Sequence, residues 1–293
     1  MNGPEVNWLP DGRRLHLNHG PIDLIVRAYG QADEVAAAYR QAASRFETVL
    51  PELVAELGEL RRPSRPSPRR FAGTTAQRME NAVAPLAEVF ITPMAAVAGS
   101  VADEVMAAMV AGRTLDRAYV NNGGDIALHV APGQRISVAI AGTGHGLADR
   151  LTIAASDPVR GIATSGWRGR SFSLGIADAV TVLATTGAAA DAAATLIANA
   201  VDLPGHRSIT RRPARELAPD SDLGARPVTT GVGPLLDPEI DAALCAGTLV
   251  ADKFRRQGSI QSAALFLGGR YRICGALELD VSAVATRGGL VDA

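Results

Sequence analysis

Asp191 and Thr195 stand four residues apart in the stretch AAADAAAT (188–195), otherwise all alanine. On a helix that spacing puts both side chains on one face, so a carboxylate and a hydroxyl oxygen lie side by side. Hard divalent cations such as Mg2+ take oxygen ligands, commonly one or two carboxylates together with substrate phosphates. Alanine around the pair leaves room for a ligand or a second backbone. A structural reading competes with this one. An acid in the first helical turn is favoured by the helix dipole, and a threonine hydroxyl can return a hydrogen bond to the preceding turn. Spacing alone leaves both open.

Two further segments carry groups suited to a phosphorylated ligand. NNGGD (121–125) places two glycines between apolar runs, where positive φ is tolerated and backbone amides are exposed. Asn122 and Asp125 add side-chain polarity there; the competing reading is a plain hairpin turn. TSGWRGRS (164–171) joins Thr164, Ser165 and Gly166 to two arginines. Hydroxyls and guanidinium groups suit phosphate, although a loop arginine is commonly just solvated. GTGHG (142–146) is glycine-dense but is not GxGxxG opening a helix, so it is a weak dinucleotide signal; His145 within it is read as an ordinary loop residue. GxSxG, HExxH and paired cysteines are absent, which removes support for hydrolase and zinc readings.

These groups need a scaffold. With 293 residues, 47% of them hydrophobic, the chain can bury a sizeable core. Aromatic residues are only 4%, so the core is expected to pack by close backbone approach. A net charge of -1 gives no global attraction for nucleic acid. Cys245 and Cys274 form no CxxC pair, which fits a reducing cytoplasm. The first residues lack an apolar leader pattern, and no run of about 18 apolar residues suggests a membrane span.

PIDLIVRAYG (21–30) reads as a strand and 31–60 as a helix that Pro51 should break or kink. RRPSRPSPRR (61–70), with five Arg and three Pro, reads as an exposed extended loop, flexible over 61–73. Helices are expected over 75–90, 100–111, 188–201 and 238–256. Strands are expected over 118–130 around the Gly-Gly turn, and at 135–141, 151–155 and 161–165. The segment 173–185 should be mostly extended, and 262–279 a hairpin turning at Gly268-Gly269. The stretch 203–236, with five prolines, reads as a long loop region. Adjacent strand pairs mixed with helices favour an α+β layered fold.

Taken in order, ITPMAAVAGSVADEV, AYVNNGGDIAL, GIATSGWRGRSFSLGIADAVTVLA and AAADAAATLIANAV resemble blocks of the UPF0280 group. That group is a branch of the ApbE superfamily, which includes the FAD:protein FMN transferases. The resemblance covers roughly residues 15–280. It implies a single domain over 1–293 made of two intimately packed halves, with duplicated antiparallel β-sheets and packed helices in a T-fold-like arrangement. It implies a flavin cleft between the halves. By the same resemblance Asp191 and Thr195 would bind Mg2+ with a backbone carbonyl from the Ala98 block. Asn122, Gly123, Gly124 and Asp125 would face the ligand, Thr164, Ser165 and Gly166 would border it, and Asp178 and Asp191 would be the catalytic carboxylates. The transferases carry Lys-Gly where this chain has Ala98-Gly99, and a His near the position of Ser173.

The expected function is binding of FAD or a related flavin nucleotide with Mg2+, with transfer of FMN to a protein hydroxyl as its catalytic form. Two alternatives stay open: a non-catalytic binder of a flavin, pterin or similar phosphorylated ligand, and a structural homologue that has lost the site. The partners expected are a nucleotide and a protein acceptor, with a homodimer compatible and neither nucleic acid nor membrane involved.

Overall fold

The computed structural model describes residues 3–139, 150–275 and 279–280. The chain opens with three strands, β1 (Glu5–Trp8), β2 (Leu15–His19) and β3 (Ile22–Gly30). Helices α1 (Ala32–Ala55), α2 (Leu57–Leu60), α3 (Thr74–Val83) and α4 (Val97–Val110) follow, then strands β4 (Leu115–Asn122) and β5 (Asp125–Val130). Next come β6 (Arg135–Ala139), β7 (Arg150–Ala154), β8 (Gly161–Ser165), β9 (Ala179–Ala184) and helix α5 (Gly187–Ala200). The last part runs β10 (Ile209–Pro213), α6 (Ala214–Leu217), β11 (Pro227–Val232), α7 (Asp237–Arg256), β12 (Ser262–Leu267), β13 (Arg270–Cys274) and β14 (Leu279–Asp280).

Nine of these strands form one antiparallel sheet in the order β1-β2-β3-β4-β5-β8-β9-β12-β13. Alternation sets its two faces. In β3, Leu24, Val26 and Ala28 are buried, while Asp23, Ile25, Arg27 and Tyr29 between them are only half-buried. The buried set meets α1, α3 and α4 in one core built around Phe46, Met79 and Met109. A second core lies between β8, β9 and β12 on one side and α5 and α7 on the other. On the opposite face, Leu128, Ile162 and Leu183 pack on the small sheet β14-β7-β6. Each half thus runs hairpin, helices, hairpin: β2β3, α1 to α4, β4β5, and then β8β9, α5 to α7, β12β13. This is the α+β, duplicated antiparallel architecture that the resemblance implied.

The low aromatic content is used as expected, because the two central helices touch backbone to backbone. A Cβ on Gly99 of α4 would lie 2.2 Å from the carbonyl oxygen of Gly187 in α5. Where β5 meets β8 the ladder has only two residue pairs, Ile126 with Ile162 and Ala127 with Gly161.

Several local expectations are corrected. Pro51 lies inside α1, and the helix continues to Ala55. Proline costs an interior helix about 3 kcal/mol, but Pro51 is exposed while Phe46, Val49, Leu50 and Leu53 are buried. That tertiary burial outweighs the local penalty. Residues 203–236 are not simply a loop: β10 and β11 form a hairpin, bulged between Thr210 and Arg211 and closed by Pro213 opposite Pro227. Those prolines, placed at the end of the ladder, hid the strands. The extended run over 173–185 is a strand only from Ala179. The Arg/Pro segment is anchored rather than merely solvated, at two points: Arg69 pairs with the fully buried Glu80 at 2.8 Å, and Ser64 N–H donates to Ile91 O at 2.8 Å. The GTGHG segment with His145 lies outside the described residues.

Among the described residues, Pro93–Val110 is the one helical stretch apolar and long enough to cross a membrane, and 56% of it is buried in the molecule.

Candidate functional site

A cavity of about 770 Å³ opens over the join between the two halves. That is within the roughly 300–1,000 Å³ typical of small-molecule sites. It is lined from the α4 side by Ala98, from the β4–β5 turn by Asn122, Gly123, Gly124 and Asp125, and from β8 by Thr164, Ser165 and Gly166. From α5 come Asp191 and Thr195, and from the loop after β8 come Arg168 and Arg170. Except for Asp178, every residue named from the sequence as a site candidate is therefore brought to one cavity.

The β4–β5 turn explains its own composition. Gly123 has φ 64° and Gly124 φ 114°, the region that disfavours side chains. Asn121 Oδ1 accepts the Gly124 N–H at 2.8 Å and fixes the turn. Asn122 is buried and donates from Nδ2 to Ala98 O at 3.2 Å, tying the turn to the start of α4. Asp125 Oδ1 accepts the Thr164 N–H at 3.2 Å, which links β5 to β8. The Thr164 and Thr181 hydroxyls are 3.0 Å apart. Gly166 is required by packing, since a Cβ there would lie 2.4 Å from Asp178 O.

Asp191 is placed by α5, but not as the sequence suggested. That helix starts at Gly187, so Asp191 is in its second turn and takes nothing from its own helix dipole. Its Oδ2 accepts the Gly99 N–H of α4 at 3.0 Å instead. The N-cap of α4 is Ala96, which has no side-chain oxygen, so Asp191 supplies the missing acceptor from the neighbouring helix. The reverse also holds. Asp103 of α4 accepts the N–H groups of Gly187 and Ala188, both at 2.8 Å, and Thr186 Oγ1 accepts that of Ala189 at 3.1 Å. Each helix carries Gly-x-x-x-Asp, GSVAD (99–103) and GAAAD (187–191), and each aspartate caps the other helix. Asp103 was missed from the sequence. The signal was present in the repeated spacing, but its meaning depends on the two glycines touching.

Three carboxylates in a poorly solvated place disturb one another. Burial raises Asp125 to about 7, with the Thr164 N–H opposing. Burial pushes Asp191 well up, and the charge of Asp125 adds to it, against the N–H groups of Gly99 and Ala98. Burial also raises Asp103, opposed by the Ala188 and Gly187 amides. Such a site favours a proton or an added cation over two bare negative charges.

Asp178 stands outside the cavity lining. Its Oδ1 accepts Arg168 Nε–H at 2.8 Å and Trp167 Nε1–H at 3.3 Å, and its Oδ2 accepts the Gly268 N–H at 2.8 Å. It braces Arg168, which does line the cavity. Arg170 arches over the glycine turn, its Nη1 3.1 Å from where a Cβ on Gly123 would be. Ser173 is buried and donates to Asn199 Oδ1 at 3.3 Å.

Asp191 and Thr195 line the cavity with Ala98, and their side chains carry oxygen atoms, the donor type that hard divalent cations take. Among the described residues no group of three or more His, Cys, Asp or Glu gathers closely enough to cage a metal. Oxygen donors of this kind are what Mg2+ takes in general, with waters and substrate phosphates completing its shell.

Comparison with known proteins places the chain in a family. The chain is 42% identical over 125 residues to a UPF0280 protein of Methanococcoides burtonii, covering 41% of this chain and 50% of that one. It is 34% identical over 163 residues to a UPF0280 protein of Methanoregula boonei, covering 53% and 67%. The chain spans about half the length of the first of these curated relatives. Among solved structures it is similar to the apo form of Pseudomonas stutzeri flavinyl transferase ApbE, at 12% identity and TM-score 0.45, covering 94% of this chain and 95% of that one. The model of the family described as AbpE bacteria matches residues 6–273, and the chain belongs to that family.

Proposed function

We propose that this protein binds FAD or a closely related flavin nucleotide in the cavity over the β5–β8 join, with a divalent cation, and transfers the FMN moiety to a protein hydroxyl. The observation that carries this reading is the convergence of Asp191, Thr195, Ala98, the NNGGD turn and two arginines on one cavity. Asp191 and Thr195, with the carbonyl of Ala98, would hold Mg2+. When bound, the ion would neutralise pyrophosphate charge and ease departure of AMP. The turn at Gly123 and Gly124 exposes backbone where a ring or phosphate can approach, and Arg170 and Arg168 offer charge-assisted hydrogen bonds to phosphate oxygens. Asp178 acts through Arg168, which it orients.

In the transfer, the acceptor hydroxyl oxygen forms a bond to the FMN phosphorus as the bond from that phosphorus to the AMP oxygen breaks. The hydroxyl proton passes to a carboxylate oxygen of Asp125, whose value of about 7 suits a proton acceptor near neutrality. A reducing cytoplasm accords with the free thiols of Cys245 and Cys274. A second copy of the chain as partner is compatible with this reading.

A second reading, a non-catalytic flavin or pterin binder, is favoured by one observation. Where the transferases carry a Lys and a His, this chain has Ala98 and Ser173, and Ser173 is buried on Asn199. Incubation with FAD, Mg2+ and a hydroxyl-bearing acceptor protein separates the two. Release of AMP with covalent flavin on the acceptor, lost in Asp191→Ala, supports transfer. A rise in melting temperature with FAD and no AMP under any divalent metal supports binding alone. No thermal shift with flavins or pterins removes both readings.

A further inference from the structure

Four arginines from four different elements converge on a second cavity at the far end of β3. Arg13 comes from the loop between β1 and β2, Arg27 from β3, Arg40 from α1 and Arg117 from β4, and the cavity is about 990 Å³. β3 enters the first cavity at Ile22 and this one at Arg27 to Gly30. At about 3.3 Å per residue the two lie roughly 20–25 Å apart.

The cationic excess is local. Arg14 pairs with Asp11 at 2.6 Å and Arg113 with Glu34 at 3.3 Å, so neighbouring arginines outside the cavity are matched. Among the described residues none of the four lining arginines pairs with a carboxylate, and Asp116 is the one acid in the lining. Arg27 and Arg117 stand with Tyr29 on the face of the sheet away from α1, their guanidinium groups 4.6 and 4.5 Å from the centre of its ring. The Nε of Arg117 is buried without a partner.

On its α1 side the cavity has aromatic side chains beside Arg13 and Arg40. Trp8, on the sheet edge, is 56% exposed and meets Tyr39 edge-on at 5.1 Å. Tyr39 is fixed in turn, since its hydroxyl donates to Arg13 O at 2.6 Å and accepts the Ala28 N–H at 3.1 Å. A flat apolar surface beside several unmatched guanidinium groups recognises a molecule with the opposite pattern, a planar ring joined to phosphates. Arginine offers phosphate paired N–H donors, and an exposed indole offers a stacking face that accepts any base.

We infer that this cavity binds a nucleoside phosphate, with its ring against Trp8 and its phosphates on Arg13 and Arg40. The assignment does not depend on flavin chemistry at the first cavity. The chain has two tryptophans, so Trp167→Phe leaves Trp8 as the sole reporter. Titration of that variant with ADP is expected to quench its emission saturably in the sub-millimolar range. Arg13→Ala and Arg40→Ala, both at exposed positions, should each weaken binding about fivefold with the melting temperature unchanged. Adenosine should bind at least tenfold more weakly than ADP, and inorganic pyrophosphate should displace ADP. Asp191→Asn should leave this titration unchanged, which separates it from the first cavity. If Trp167→Phe does not fold, loss of the ADP quench on Trp8→Phe in the otherwise native chain gives the same readout. No saturable quench with ADP, or a quench indifferent to both arginine variants, overturns the inference. So does a response to polyglutamate without one to ADP, which would make the surface a dock for an acidic chain.

Discussion

Asp103 and Asp191 hold matching places on two crossing helices, each four residues after the glycine at which the helices touch, and each capping the other helix. They differ in what else they face. Asp103 takes two amides and, with Thr186, satisfies the whole first turn of α5. Asp191 is shown with the Gly99 amide, lies on the cavity wall, and is pushed up by burial and by Asp125. The same device therefore serves stability at one end and leaves an acidic oxygen open to a ligand at the other. A cap becomes a site when a cavity and a second carboxylate adjoin it.

The contrast can be broken most severely at the contact itself. Gly99→Ala puts a Cβ 2.2 Å from Gly187 O, against backbone that cannot yield without separating the helices. A loss of about 3 kcal/mol is expected, seen in urea unfolding, and both caps should loosen together.

Asp103→Ala is next. It strips acceptors from two shielded amides at a cost of about 2 kcal/mol, reduced by the relief of a carboxylate that burial disfavours. The Mg2+-dependent rise in melting temperature should persist in this variant. If it vanishes, the two aspartates are not functionally distinct.

A pH series sharpens the comparison from the ligand side. Asp125 is raised from 3.8 to about 7, so the folded protein keeps a proton that the unfolded chain has released between those values. Stability is therefore fullest below pH 4 as far as this group is concerned, and falls as pH rises towards 7. The loss from pH 5 to pH 7 should be about 2 kcal/mol, and Asp125→Asn should flatten it. A stability that climbs over the same interval in wild type but not in the variant would contradict the crowded-carboxylate picture.

The smallest stability effect is expected at Asp191. Asp191→Asn keeps an oxygen for the Gly99 amide and removes a disfavoured charge, so stability without metal should change by less than about 1 kcal/mol. The stabilisation by Mg2+ should disappear. Measured melting curves with and without the ion check both halves of this expectation, and an unchanged metal response removes Asp191 from the cation site.

Much of the site was legible in the sequence because its signals are local. A glycine pair bounded by strands announces a hairpin, and the turn at Gly123-Gly124 formed as read. Residues four apart on a helix share a face, so Asp191 and Thr195 reach the same cavity. What stayed hidden depends on contacts distant in sequence. Asp103 gains its role only because Gly99 meets Gly187, and Pro51 is tolerated only because the opposite side of α1 is buried. The β10–β11 hairpin was masked by prolines that fall where a ladder ends and an amide is not needed. Asp178 was read from a family pattern, and its bonds to Arg168, Trp167 and Gly268 are tertiary facts.

The two-pair ladder between β5 and β8 bears on the motion of the molecule. It is the shortest ladder in the nine-stranded sheet, and Asp125 and Thr164 flank it. A molecule seated across that seam acts as a rivet, adding its own binding free energy to the resistance against opening. Amide exchange at Ile126 and Ile162 should then slow more on occupancy than exchange deep in either core, where protection is already set by whole-chain unfolding.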